Sequence, residues 1–229
     1  MQETITTPSD KSLKNIVILI SGRGSNMEVF LDAATNGALA GNIVSVISNR
    51  PDAPGIVTAR NRGIATTVID HQQFATREAF DAALADEVAA NHPDIVVLAG
   101  FMRILTPVFI NRFLGKLVNI HPSLLPKYAG LNTHQRAIDA GDKEAGATVH
   151  FVTNELDGGP AILQARVTIA NTDDAQTLAC KVLKVEHLIF PEAVNWHLQG
   201  RVVHADQGAQ LDGELLPPTG AQWKNHRGE

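Results

Sequence analysis

Cysteine is almost missing from this chain. One residue, Cys180, stands among 229, which excludes an internal disulfide framework and fits a reducing compartment. Long apolar runs are missing as well. Nothing approaches the ~18 consecutive apolar residues that a membrane-spanning helix requires, so no membrane partner is expected. The polar start of the chain also lacks the apolar core of a signal peptide. A basic excess is absent: 19 Lys and Arg face 24 Asp and Glu, for a net charge of −5 and a pI of about 6.0. Nucleic-acid binding, which neutralises phosphates with clustered cations, is therefore not expected. A small anionic substrate needs only a local positive site, and the overall charge says nothing against one. None of the nine histidines pairs at the spacing of a helical metal site, and no metal is expected. The expected compartment is the cytoplasm.

What is present is a hydrophobic content of 44% and a charged content of 19%, ordinary for a soluble globular chain. The length suffices for one good core, or two small domains sharing a sheet. In the first half, apolar strand-like runs at 15–20, 43–47, 66–69, 95–98 and 118–120 alternate with helical segments. The clearest helix runs from Arg77 to Ala90, with Phe80, Leu84 and Val88 at four-residue spacing. Thr106 followed by Pro107 reads as an N-cap with proline at the first helical position, closed by Gly115. This alternation predicts an α/β fold built on a doubly wound, mostly parallel sheet. The second half alternates polar and apolar residues more strictly at 148–152 and 161–169, linked by Asp157-Gly-Gly-Pro160. That pattern predicts a mixed or antiparallel continuation of one sheet. A long helix is expected from about Asp174, broken or kinked at Pro191, and then a short strand at 202–204.

Several stretches carry chemistry. Gly22-Arg-Gly-Ser-Asn26 ends the first strand and opens a helix. Glycine backbone and a helix N-terminus together suit a phosphate, although a tight strand–helix turn reads the same way. A dinucleotide fingerprint is incomplete, because Met27 replaces its third glycine and Ser48-Asn49 stand where an acid should close the second strand. In Asn119-Ile-His121, residues two apart on an extended chain share a face. An amide that holds an oxyanion and an imidazole that moves a proton are what acyl or formyl transfer needs. An isolated histidine is more often structural, and Asp157 by itself reads equally as a hairpin turn. Residues 101–105 lie at a strand end, either as a ligand edge or as the rim of the core. Thr148 and His150 alternate toward one face. Glu186 is either a ribose ligand or a solvated helix charge.

Taken together, Asn119-Ile-His-Pro-Ser-Leu-Leu-Pro126, Leu98-Ala-Gly-Phe-Met-Arg-Ile-Leu105, Gly146-Ala-Thr-Val-His-Phe-Val-Thr153, Glu155-Leu-Asp-Gly-Gly-Pro160 and Ser21-Gly-Arg-Gly-Ser-Asn26 occur in the order of a known family. The chain resembles the folate-dependent formyltransferases, and among them those acting on glycinamide ribonucleotide, over roughly residues 15–220. The resemblance implies a Rossmann-like formyltransferase fold, with 10-formyltetrahydrofolate as co-substrate and glycinamide ribonucleotide as acceptor. It implies catalytic Asn119, His121 and Asp157, with the acid favouring the protonated imidazole. It implies Gly24, Ser25 and Asn26 on the phosphate and Glu186 on the ribose. It places Arg77, Met102, Arg103, Ile104, Leu105, Asn119, Thr153, Asn154, Glu155, Leu156 and Asp157 on the folate side.

The expected organisation is a loose extension over 1–13 and one domain over 14–229. That domain divides into a nucleotide-binding half at about 14–115 and a folate-binding, catalytic half at about 116–220. A homodimer is left open. Arg23 and Asn132 depart from the family, whose members often carry Asn and His there. Three rivals stand beside this reading. A formyltetrahydrofolate hydrolase usually adds an N-terminal regulatory domain. A methionyl-tRNA formyltransferase adds a C-terminal tRNA-binding domain and basic surface. A non-catalytic dinucleotide-binding module would need the glycine fingerprint that is missing.

Overall fold

Residues 13–224 are described in a computed structural model of the chain; apart from Leu13, the extension expected over 1–13 lies outside them. Five strands run parallel: β1 (Lys14–Ile20), β2 (Gly41–Ser48), β3 (Thr66–Val68), β4 (Ile95–Leu98) and β5 (Leu117–His121). β6 (Glu144–Phe151) then runs antiparallel to β5, and β7 (Ala161–Thr168) antiparallel to β6. A separate antiparallel sheet holds β8 (Val202–Ala205), β9 (Gly208–Leu211) and β10 (Glu214–Leu215). The chain finally returns with β11 (Ala221–Gln222), which pairs parallel to β7. The main sheet has eight strands in the order β11-β7-β6-β5-β4-β1-β2-β3.

Six helices accompany them: α1 (Ser25–Thr35), α2 (Pro54–Asn61), α3 (Arg77–Ala90), α4 (Pro107–Ile110), α5 (Thr133–Asp139) and α6 (Ala175–Leu198). The period of two in β1 sorts its side chains. Ile16, Ile18 and Ile20 pack with Phe30 of α1, Ile56 of α2 and Val182 and Phe190 of α6. Val17 and Leu19 pack with Phe80, Leu84 and Val88 of α3 and Phe109 of α4. Coverage of both faces is why the strand reads as one unbroken apolar run. The fully buried Phe80, Leu84 and Val88 of α3 contribute about 1.5–3 kcal/mol each. The expected α/β fold, mostly parallel and then mixed, is the fold observed.

Three details differ from the sequence expectation. Pro191 neither breaks nor ends α6, which runs 24 residues through it. Proline inside a helix costs about 3 kcal/mol, but burial of Val182, Ile189, Phe190 and Val194 on the same helix outweighs that. The helix after Thr106 is only four residues long, and the Thr106 hydroxyl does not cap it. That hydroxyl is buried without a partner, while the Thr106 N–H donates to the Asp81 carboxylate. Thr106 thus stands at the N-cap position, but its side-chain cap hydrogen bond is not made. The strand expected at 202–204 belongs to the small second sheet, and β11 was not anticipated. Two-residue strands are too short to show a period.

The topology defines one edge. The C-terminal ends of β1 to β5 all open on the same side, where open α/β sheets hold ligands. At β5–β6 the pairing changes from parallel to antiparallel. It sets Asn119 opposite His150 and His121 opposite Thr148.

Candidate active site

His121 ends β5 and is 6% exposed. Its Nε2–H donates to the Tyr128 carbonyl at 2.9 Å, and its Nδ1 lies 3.4 Å from Asp157 Oδ2. Carbonyl and carboxylate oxygens only accept, so both ring nitrogens face acceptor oxygens. Asp157 has the left-handed φ of +51°. It is therefore a turn residue and the partner of His121 at once. Its Oδ2 also accepts the Gly130 N–H at 2.9 Å. The loop after His121 thus touches both members of the pair, through Tyr128 O and Gly130 N. That loop is anchored by Ser123 Oγ donating to Lys127 O at 2.6 Å, Tyr128 Oη donating to Asp142 at 2.9 Å and Arg136 donating to Ala129 O at 2.7 Å. Asn132, one of the family departures, starts α5 with φ +59° and caps it with no side-chain hydrogen bond.

Asn119 shares the face of His121, and its Nδ2 lies 3.2 Å from Nε2 of the buried His150. Burial pulls the His150 pKa below the usual histidine value, against the pull of the Phe151 carbonyl and the Asp157 carboxylate.

The second part of the site begins at α1. Gly24 precedes the helix with φ +77° and no side-chain cap, so the first helical N–H groups are left for another acceptor. Asn26 Nδ2 donates to Glu186 Oε2 at 2.8 Å, joining α1 to α6. Glu186 is only 8% exposed and is not a solvated helix charge. Burial raises its pKa, and the Asn26 hydrogen bond partly restores the charged form. Asn26 Oδ1 and His187 Nε2 are both buried without partners. Burial, aided by the Arg23 charge and opposed by Glu28, holds the His187 pKa below its usual value. Arg23 itself is exposed. α2 seats against the same loop through Gly55, whose N–H donates to Gly22 O at 3.1 Å. A Cβ at Gly55 would stand 2.6 Å from Ile20 Cδ1, so only glycine permits this approach.

The third part is the loop after β4. Ser21 Oγ accepts the Met102 N–H at 2.7 Å and donates to Asn49 Oδ1 at 2.6 Å, tying this loop to the end of β1. Arg77 donates to the Ile104 carbonyl. Met102 and Ile104 are apolar yet 72% and 60% exposed, whereas Leu105 is 7% exposed and packs in the core with Phe101 and Phe109. Arg103 lies over the Phe80 ring at 4.9 Å. In the turn before Asp157, Thr153 Oγ1 accepts the Glu155 N–H at 3.4 Å, Asn154 donates to Asn111 at 3.2 Å, and Leu156 is exposed.

The structure therefore brings Asn119, His121, His150 and Asp157 into one cluster, Asn26 into contact with Glu186, and Arg77 onto the 102–105 loop. It turns the Leu105 side chain inward. Tyr128, Gly130, Ser21 and Asp81 contribute contacts that sequence reasoning missed. The glycine at 130, soon after Pro126, was the one available signal. Among the described residues no group of three His, Cys, Asp or Glu side chains is placed to hold a metal, and no helix is long and apolar enough to cross a membrane. Cys180 is exposed on α6.

Known proteins give the context. The formyl transferase family model matches residues 14–194. A phosphoribosylglycinamide formyltransferase of Escherichia coli is 48% identical over 206 residues, covering 90% of this chain and 97% of that protein. One of Haemophilus influenzae is 46% identical over 208 residues, covering 91% and 98%. The solved phosphoribosylglycinamide formyltransferase of Coxiella burnetii superposes with a TM-score of 0.88 at 43% identity, covering 93% of this chain and 100% of that one. With this match over most of its length and a sheet of this order, the chain belongs to the formyl transferase family, among the phosphoribosylglycinamide formyltransferases.

Proposed function

We propose that the protein transfers the formyl group of 10-formyltetrahydrofolate to the amine of glycinamide ribonucleotide, a step of purine synthesis. The observation that carries the residue assignment is His121, held between the Tyr128 carbonyl and the Asp157 carboxylate with Asn119 on the same strand face. At the end of β1 on the same sheet edge lies an uncapped helix N-terminus, suited to a phosphate. At the end of β4, between β1 and β5, lies a loop whose exposed Met102 and Ile104 suit a flat ring.

The folate supplies the formyl group and receives a proton at the nitrogen it frees. The remaining chemistry falls to side chains of this chain. Asn119 donates an amide hydrogen to the developing oxyanion, and His121, as imidazolium, stabilises the same charge. The Tyr128 carbonyl marks where an oxygen accepts from His121 Nε2, and a substrate oxygen brought there would take over that hydrogen bond. Asp157 keeps the ring charged and helps to carry a proton from the attacking amine toward the leaving nitrogen. Residues 24–26 bind the phosphate through backbone N–H groups, and Glu186 binds ribose hydroxyls. Arg77, residues 102–105 and residues 153–157 hold the folate; at Leu105 the contact falls to the main chain. The nucleotide half at about 14–115 and the catalytic half at about 116–220 each lend residues to the other's subsite, Glu186 to the first and Arg77 to the second.

Purified protein given both substrates should form tetrahydrofolate and N-formylglycinamide ribonucleotide in equal amounts. Without the ribonucleotide, folate turnover should nearly stop. Equal turnover without the ribonucleotide would instead establish a hydrolase, and absence of product with both substrates would reject the reading.

A further inference from the structure

Asn119 needs one particular orientation, and its own strand does not supply it. A side-chain amide can flip, exchanging its nitrogen for its oxygen. With oxygen where nitrogen should be, it would repel an oxyanion rather than stabilise it. The neighbour that decides this is His150, directly opposite on β6.

We propose that His150 is the positioning residue for Asn119, an Nδ1–H imidazole whose Nε2 accepts one amide hydrogen and so forbids the flip. This rests on the formyl-transfer reading for its consequence, but not for its geometry. His150 Nδ1 lies 2.8 Å from the Phe151 carbonyl, which only accepts, so the ring hydrogen sits on Nδ1. Nε2 is then a lone pair, and its neighbour at 3.2 Å has to be the amide nitrogen of Asn119. The opposite amide orientation would set oxygen against a lone pair. The ring is 2% exposed, and its burial opposes the second proton that would reverse these roles. His150 Nε2 also lies 3.9 Å from Asp157 Oδ1, too far for a hydrogen bond. The amide nitrogen is therefore held beside the His121–Asp157 pair while the second amide hydrogen stays free for substrate. Gly159 completes the device. A Cβ there would come within 1.8 Å of Phe151 O, the oxygen that fixes the His150 tautomer.

The test separates an orienting role from a merely structural one. His150→Leu should lower kcat roughly 10–100-fold, somewhat less than loss of an oxyanion donor itself, with both KM values moving less than about threefold. His150→Gln, which keeps an acceptor oxygen and a donor, should recover most of that loss. In an Asn119→Ala background His150→Leu should cost less than about threefold more, because the group it orients is gone. Equal losses in both backgrounds would overturn the proposal. Nitrogen-15 NMR of the His150 ring reads the contact without any activity. An Nδ1–H ring with unprotonated Nε2 supports the proposal, and an Nε2–H ring overturns it. If the wild-type protein proves inactive, the functional reading fails while the tautomer still decides the positioning contact.

Discussion

Replacing Asp157 by Asn removes one charge and almost no volume. Asp157 Oδ2 stands 3.4 Å from His121 Nδ1 and accepts the Gly130 N–H at 2.9 Å. The asparagine oxygen can keep the bond to Gly130, so the loop stays anchored and the perturbation is electrostatic. At that 3.4 Å separation a pair of unit charges is worth about 5 kcal/mol in an effective dielectric of ~20. Desolvation of the carboxylate offsets part of this. Each 1.36 kcal/mol is about tenfold in rate, so a kcat loss of about 10²–10⁴ is expected, the range typical of a general acid–base group. Initial rates of formyl transfer, with each substrate varied in turn, provide the assay. Both KM values should change far less than kcat, because the charge matters most as the oxyanion develops. His121→Ala combined with Asp157→Asn should be far from additive, since the pair acts as a unit. A kcat loss under tenfold, together with additive losses in the double variant, would refute the coupled pair.

Three further outcomes are expected. Gly24→Val forces a β-branched residue to φ +77° with its Cβ about 3.2 Å from the Met27 side chain; it should raise the ribonucleotide KM by roughly tenfold or more, at a strain of about 1–2 kcal/mol, and leave folate binding largely intact by calorimetry. Ile104→Trp, at an exposed position of the strand-end loop, should weaken a folate analogue more than the ribonucleotide, whereas equal losses would indicate general destabilisation. Acid should destabilise the fold below about pH 6.5. Burial depresses the pKa values of His134, His150, His187 and His197, so the unfolded chain binds protons there that the folded chain refuses. Their contribution is complete above the unfolded value and is lost as pH falls toward the folded ones, at up to about 1.4 kcal/mol per pH unit per ring. Glu186, whose pKa is raised, works in the opposite direction. Urea midpoints that stay level or rise from pH 7 to 5 would contradict this.

Much of the architecture was legible because period and burial agree. The unbroken apolar run of β1 and the four-residue spacing of Phe80, Leu84 and Val88 each have one physical solution, a strand covered on both faces and a helix on its apolar stripe. Pro191 misled because a local penalty was weighed without the tertiary burial of Ile189, Phe190 and Val194 around it. Thr106 does occupy the N-cap, but its hydroxyl makes no cap hydrogen bond, which the local pattern does not report. In the site, Asn119 and His121 were legible from their spacing on one strand. Their partners were less so. The contacts of Tyr128 and Gly130 are made by backbone atoms, which carry no residue signature. Glu186 read as either a ribose ligand or a solvated charge, because nothing near it in sequence reports that Asn26, on α1, closes over it.

The location of the site follows from where the sheet changes direction. Five parallel strands end on one edge. Because β6 runs antiparallel, its residues 148 and 150 come back directly opposite His121 and Asn119. The turn that follows then returns Asp157 to the imidazole. Asp157 in that turn and Tyr128 in the loop after β5 both have a left-handed φ, and neither residue is glycine. Strain of this kind, of order 1–3 kcal/mol per residue, persists only where surrounding contacts enforce it. Here the enforcing contacts are the Gly130 N–H on Asp157 and the Tyr128 hydroxyl on Asp142. Replacing either residue with glycine would relieve the backbone and remove the group that meets His121 or anchors its loop. Stability given up at these two positions is therefore part of how the protein holds an imidazole, an amide and a carboxylate together.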